Sequence, residues 1–101
     1  GLRVFDDEND VMNLDVMQAG GDVMVISQFT LLASTSKGNR PSYIAAMEPV
    51  RAEIAVEKFI QKLENIIQKS VSTGSFGAHM KISLVNDGPV TIVLDSKNKE
   101  S

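Results

Sequence analysis

Apolar residues recur along this chain with two different periods. Between Pro49 and Lys69 they return every three or four positions. Ala52, Val56, Phe59, Ile60, Leu63, Ile66 and Ile67 share one stripe, and Glu57, Lys58, Gln61, Lys62, Glu64, Asn65, Gln68 and Lys69 fill the other side. That spacing predicts a long amphipathic helix with its stripe toward a core. Pro49 suits the first turn, where a missing N–H breaks no hydrogen bond, and Ile54 falls on the polar face. Elsewhere the period is two. Leu2–Phe5 alternates as a short strand, Met80, Ile82 and Leu84 alternate with Lys81, Ser83 and Val85, and Val90, Ile92 and Leu94 alternate with Thr91 and Val93. Asn86-Asp87-Gly88-Pro89 separates the last two runs as a hairpin-like turn. Residues 23–33, VMVISQFTLLA, open with β-branched residues and stay apolar enough for a strand buried on both faces. Asp6–Asp10 and Gly20-Gly21-Asp22 read as turns, Ser34–Pro41 as a loop, and Val71–His79 as a Gly-rich connection. Ser42 is placed to cap a short helical turn through Ala46. The pattern predicts an α/β domain of about four strands, with one long helix after the second.

Length and composition narrow the class. The 101 residues fit a single domain, residues 1–101, with a polar tail from Ser96 expected to fray. At 43% hydrophobic and 23% charged, the chain has the composition of an ordinary globular protein. No apolar run approaches the roughly 18 residues that span a bilayer, so no membrane partner is expected. The absence of a secretory hydrophobic region and of cysteine points to a reducing, cytoplasmic home. It also removes disulfides, thiolate nucleophiles and the usual zinc clusters. The net charge of −3 argues against coating nucleic acid through bulk charge. Its distribution is uneven: residues 1–22 hold one base against six acids, and the remainder nine bases against seven acids. Ser34–Ser42 (STSKGNRPS) carries Lys37 and Arg40 with no acid. It reads as a solvated loop or as a local basic rim able to meet a few phosphates. The chain also opens at Gly1 without a recognisable first element, as a piece of a longer domain would.

The inventory of reactive groups is sparse. His79 is the one histidine, too little for a Ser-His-Asp triad or a metal site. No Gly-rich phosphate-binding loop is present, and the acidic DDENDVMN lacks the ligand spacing of a calcium loop. Neither a cofactor nor a metal is expected. Two segments nevertheless break the local pattern. Ser27-Gln28-Phe29-Thr30 puts polar side chains into an apolar strand, where they need partners or a cavity, although a strand leaving the core is the plainer account. Asn86-Asp87-Gly88-Pro89-Val90-Thr91 places a proline at the head of a strand, and a cis Gly-Pro bond there would turn two carbonyls the same way. Locally, a plain hairpin turn explains it as well.

Taken together, the two segments resemble the signature motifs of the D-aminoacyl-tRNA deacylase family, which has the D-tyrosyl-tRNA deacylase fold. SQFTL stands as Ser27–Leu31 and N-x-G-P-V-T as Asn86–Thr91, with LRVF, KGNRPS and the Ser75–Met80 approach similar between them. The resemblance implies an α/β fold with a mixed or antiparallel sheet and one long helix, lacking the family's N-terminal strands and helix. It also implies a homodimeric hydrolase with its active site at the interface. That enzyme would cleave the ester joining a D-amino acid, or glycine, to the 3′ end of an aminoacyl-tRNA. Backbone N–H groups of Gln28, Phe29 and Thr30 would form the oxyanion hole. Gly88 and Pro89, with Val90 and a positioning Thr91, would form the chiral gate. Ser27, Phe29, Ala46 and Met80 would bind substrate, and Lys37 and Arg40 would line an RNA rim. The alternative is a non-catalytic dimerisation or RNA-end-binding domain.

Overall fold

A 19-residue helix, α1 (Pro49–Ile67), organises the molecule. The computed structural model describes residues 1–88 and 90–97. Pro49 occupies the first helical turn as the sequence predicts, and Glu48 is the N-cap. The Glu48 carboxylate accepts hydrogen bonds from the Val50 N–H at 3.0 Å and the Arg51 N–H at 3.2 Å, two of the donors a helix start leaves orphaned. At the other end Gln68 turns left-handed at φ 59°, and its N–H still reaches the Glu64 carbonyl at 2.9 Å. The Glu64 side chain then accepts the Val71 N–H at 2.9 Å, folding the chain back after the helix.

Ahead of α1 lie three short strands: β1 (Phe5–Asp6), β2 (Met12–Leu14) and β3 (Met24–Val25). A fourth, β4 (Ser72–Thr73), follows the helix. β1 and β2 pair antiparallel, with a register shift between Phe5 and Asp6. β3 and β4 pair parallel, Met24 with Ser72 and Val25 with Thr73. A parallel pair requires a long crossover, and α1 lies within that connection. Lys69 ties the helix exit to the head of β3, donating to the Gly21 carbonyl at 2.7 Å and to Asp22 at 3.3 Å. The expected α/β class, with antiparallel and parallel pairing and one long helix, is therefore present.

Several local expectations are corrected. Of the strand expected over 23–33, only β3 forms. Phe29–Leu32 instead winds into a 3₁₀ turn, with Leu31 N–H directed at the Gln28 carbonyl and Ala33 N–H at that of Thr30. β3 stops at Val25, and Gln28, extended at φ −152°, leads into the turn. Residues 80–85 and 90–94 alternate as expected but form no named strand among the described residues. Alternation sets which side chains share a face; it does not supply a neighbouring strand. β4 falls in the segment read as a Gly-rich connection and β2 in a stretch assigned to no element, each too short to show a period. Ser42 does not cap the following turn. It exchanges both backbone hydrogen bonds with Ser34, at 2.7 and 2.8 Å, while Ala46 N–H closes on Tyr43.

The inner face of α1 carries Ala52, Val56, Ile60, Leu63 and Ile67, of which Ile67 is buried, as is Val71 just beyond. Phe59 and Ile66, also in the predicted stripe, lie on its flank and are exposed.

Candidate functional site

The parallel unit builds a cleft at its strand exits, the usual position for ligand sites in open α/β sheets. Ser27 and Gln28 leave β3 and lead into the 3₁₀ turn, which presents Phe29 and Leu32. The α1 entrance supplies Ala46, Met47, Glu48, Pro49, Ala52 and Val56. The chain after β4 returns with Phe76 to Met80. These residues enclose a cleft of about 700 Å³, within the range of small-molecule sites. Most of the wall is apolar, and Ser27, Gln28, Tyr43, Glu48 and His79 contribute the polar side chains.

Local geometry explains how distant segments meet here. Ser34 and Ser42 pair across the intervening loop, so the 3₁₀ turn before it and Tyr43 after it lie side by side. The Phe29 and Tyr43 rings touch edge to face, with centroids 5.1 Å apart and planes at 72°. Gln28 Nε2 donates to Thr30 Oγ1 across the start of the turn. A 3₁₀ turn leaves its first N–H groups, here those of Phe29 and Thr30, without an intrahelical acceptor. On the opposite wall, Gly74 admits Met80: a Cβ there would lie 2.4 Å from the Met80 sulfur and 3.4 Å from Ile26 Cδ1. A side chain there would displace the Met80 thioether from the wall.

Of the residues singled out from sequence, Ser27, Gln28, Phe29, Ala46 and Met80 line this cleft. Thr30 lies in the 3₁₀ turn behind it, and Lys37 and Arg40 sit exposed on the loop closed by Ser34 and Ser42. Gly88, Val90 and Thr91 are exposed and outside its lining. A Cβ on Gly88 would stand 2.3 Å from the Val90 nitrogen and 3.0 Å from Asn86 Oδ1, so the tight turn explains glycine there. The proposed geometry of the Gly88–Pro89 bond lies outside the described residues. Sequence reasoning did not place Tyr43, Glu48 or His79 in the site. Tyr43 follows the RPS segment directly, but its pairing with Phe29 depends on loop closure, which leaves no periodic signal.

Fold and site thus define an α/β protein with a largely apolar cleft walled by an SQF segment. The family model described as D-Tyr-tRNA(Tyr) deacylase matches residues 1–95, and the chain belongs to that family. It is 59% identical over 99 residues to a D-aminoacyl-tRNA deacylase of Flavobacterium johnsoniae and, over the same length, 59% identical to one of Parabacteroides distasonis. Each alignment covers 98% of this chain and 66% of the relative, so the chain spans just under two thirds of their length. A solved structure titled c-Myc DNA Unwinding Element Binding Protein superposes with a TM-score of 0.83 at 38% identity, covering 94% of this chain and 64% of the other. Among the described residues, no helix is long and apolar enough to cross a membrane.

Proposed function

We propose that this chain carries the editing site of a hydrolase acting on D-aminoacyl-tRNA and on mischarged glycyl-tRNA. The observation that carries the reading is the convergence of Ser27, Gln28 and Phe29 with Ala46 and Met80 around one cleft. Phe29, Ala46 and Met80 seat the terminal adenosine against the apolar wall. The carbonyl of the ester then faces the backbone N–H groups of Gln28, Phe29 and Thr30. Water adds to that carbonyl, activated by the substrate's own ribose 2′-hydroxyl, and the negative charge on its oxygen is held by those donors. Collapse breaks the ester bond, releasing the free amino acid and leaving the 3′-hydroxyl on the tRNA. One such donor is worth about 3 kcal/mol of transition-state stabilisation.

Chirality is read by exclusion. Gly88 and Pro89 of a second protomer, placed by Val90 and Thr91, present backbone carbonyls to the substrate's α-amino group and leave no room for an L side chain. A rigid wall that clashes with the wrong isomer is an effective source of specificity. The homodimer completes the site, Lys37 and Arg40 meet phosphates near the tRNA 3′ end, and the reaction belongs in the cytoplasm.

The test is release of tyrosine from D-tyrosyl-tRNA and L-tyrosyl-tRNA. Faster release from the D-isomer is expected, with the L-isomer decaying at the rate of buffer alone. Equal decay of both at the buffer rate would sink the reading in favour of a non-catalytic domain.

A further inference from the structure

We infer that Tyr43 is a positioning residue of this site, one that holds the Phe29 ring in place and ties the Ser34–Ser42 loop to the cleft wall. This rests on the proposed reading of the cleft as the seat of the terminal adenosine. Phe29 is carried on a four-residue 3₁₀ turn none of whose residues is buried, and Phe29 itself is 57% exposed. Such a ring has little to fix its rotamer. The Tyr43 ring against it, 5.1 Å between centroids with planes at 72°, makes an edge-to-face pair, an arrangement that ring quadrupoles favour. Tyr43 is itself anchored from both sides. The Ser34–Ser42 backbone pair precedes it, and the hydrogen bond from Ala46 N–H to its carbonyl, 2.9 Å, follows.

The geometry therefore joins two parts of the site that the sequence keeps apart. The loop bearing Lys37 and Arg40 begins just after the turn that carries Phe29 and ends one residue before Tyr43. The ring contact closes the stem of that loop with side chains, and the Ser34–Ser42 bonds close it with backbone. Loss of the Tyr43 ring frees Phe29 and loosens the loop together, which weakens seating of the nucleoside without removing any group that touches the reacting ester. The ring is the part that matters, so phenylalanine substitutes for it.

The chain offers an internal probe of this contact, since Tyr43 is its single tyrosine and it has no tryptophan. Three variants of this chain, Y43A, Y43F and F29L, are compared with the parent. Affinity is measured with a non-hydrolysable amide analogue of D-tyrosyl-adenosine, alongside KM and kcat on D-tyrosyl-tRNA. Y43A is expected to weaken the analogue and raise KM by about three- to tenfold, the worth of one aromatic pair, with kcat nearly unchanged. Y43F is expected to restore both values. F29L is expected to change the tyrosine near-ultraviolet dichroism with no ligand present. An unchanged signal in F29L overturns the contact itself, whether or not the protein is a deacylase. A Y43F loss equal to that of Y43A overturns the role of the ring, and parental KM in Y43A overturns the positioning role. If the parent chain binds no analogue while F29L does shift the dichroism, the cleft reading has failed and the positioning role falls with it.

Discussion

Asp7 governs the first turn by satisfying backbone donors. One carboxylate oxygen accepts the N–H groups of Asn9 at 2.8 Å and Val11 at 3.1 Å, and the other accepts from the Asn13 side chain at 3.3 Å. Arg3 in turn donates to Asn13 at 2.9 Å. The Val11 and Asn9 hydrogen bonds, in that order, hold the Asp7 pKa below the usual aspartate range. A depressed carboxylate pKa stabilises the fold above the unfolded value, and that contribution disappears as pH falls through the folded value. We therefore expect the β1–β2 turn to loosen only in acid, below about pH 4. Carboxyl carbon shifts across an acid titration should give Asp7 a midpoint below that of a blocked aspartyl peptide. A midpoint at or above the peptide's would remove the hydrogen-bonded turn as the cause. The sequence marked this segment as a turn from its Asp and Asn content. It gave no sign that one carboxylate organises it, because Asp6, Asp7, Glu8 and Asp10 look alike until the backbone selects one.

At the scale of elements, α1 depends on both of its ends as well as on its stripe. Glu48 is an uncommon N-cap, yet its two hydrogen bonds reach the second and third helical N–H groups, and its charge lies at the positive end of the helix. Glu48→Ala is expected to cost about 1 kcal/mol of unfolding free energy in urea, with fraying of the first turn and reduced helical dichroism. Glu48→Asp should recover part of the loss, and an alanine variant as stable as the parent would show the cap to be idle. How legible an element was depended on what holds it. The helix was legible because a period of 3.6 persists over 19 residues and proline marks its start. β3 was visible as a β-branched run, but its end was not, since apolar density continues through Phe29–Leu32 while the backbone winds into a 3₁₀ turn. β4 has two residues and owes its existence to its partner across the crossover. The site was half legible for the same reason. Ser27, Gln28 and Phe29 disturbed a local pattern, whereas Tyr43 and Glu48 enter the cleft through loop closure and capping, interactions that run between segments.

The whole molecule is more open than its length requires. A compact chain of this size would have a radius of gyration of about 13 Å, against 16.2 Å here, and an extent of 49 Å along one axis accompanies it. Its accessible surface is 8981 Å², where a folded monomer of this mass exposes about 5,600 Å². Large apolar side chains are exposed along the whole chain, Leu31 at 83%, Ile44 at 90% and Val85 at 92% among them, and α1 adds its share. Ala55, Phe59 and Ile66 run along one flank of α1, with Phe59 59% and Ile66 60% exposed. Contiguous apolar surface of this kind binds hydrophobic dyes and drives association in solution. This chain is therefore expected to bind anilinonaphthalene sulfonate and to sediment with a concentration-dependent mass. Replacing both residues with lysine, F59K with I66K, removes the flank while keeping good helix formers on α1. The double variant should bind markedly less dye and sediment at lower mass, with helical dichroism retained. Lysine at two positions of the inner face, V56K with I60K, should instead lower the dichroism, because those half-buried side chains face Val25 and Thr73 across a small cavity. If the flank variant bound as much dye as the parent, the exposed surface responsible would lie elsewhere, and Phe59 and Ile66 would be covered in solution. The two pairs sit on one predicted stripe, and exposure separates them: Val56 and Ile60 are half-buried and share a small cavity with Val25 and Thr73, whereas Phe59 and Ile66 face outward.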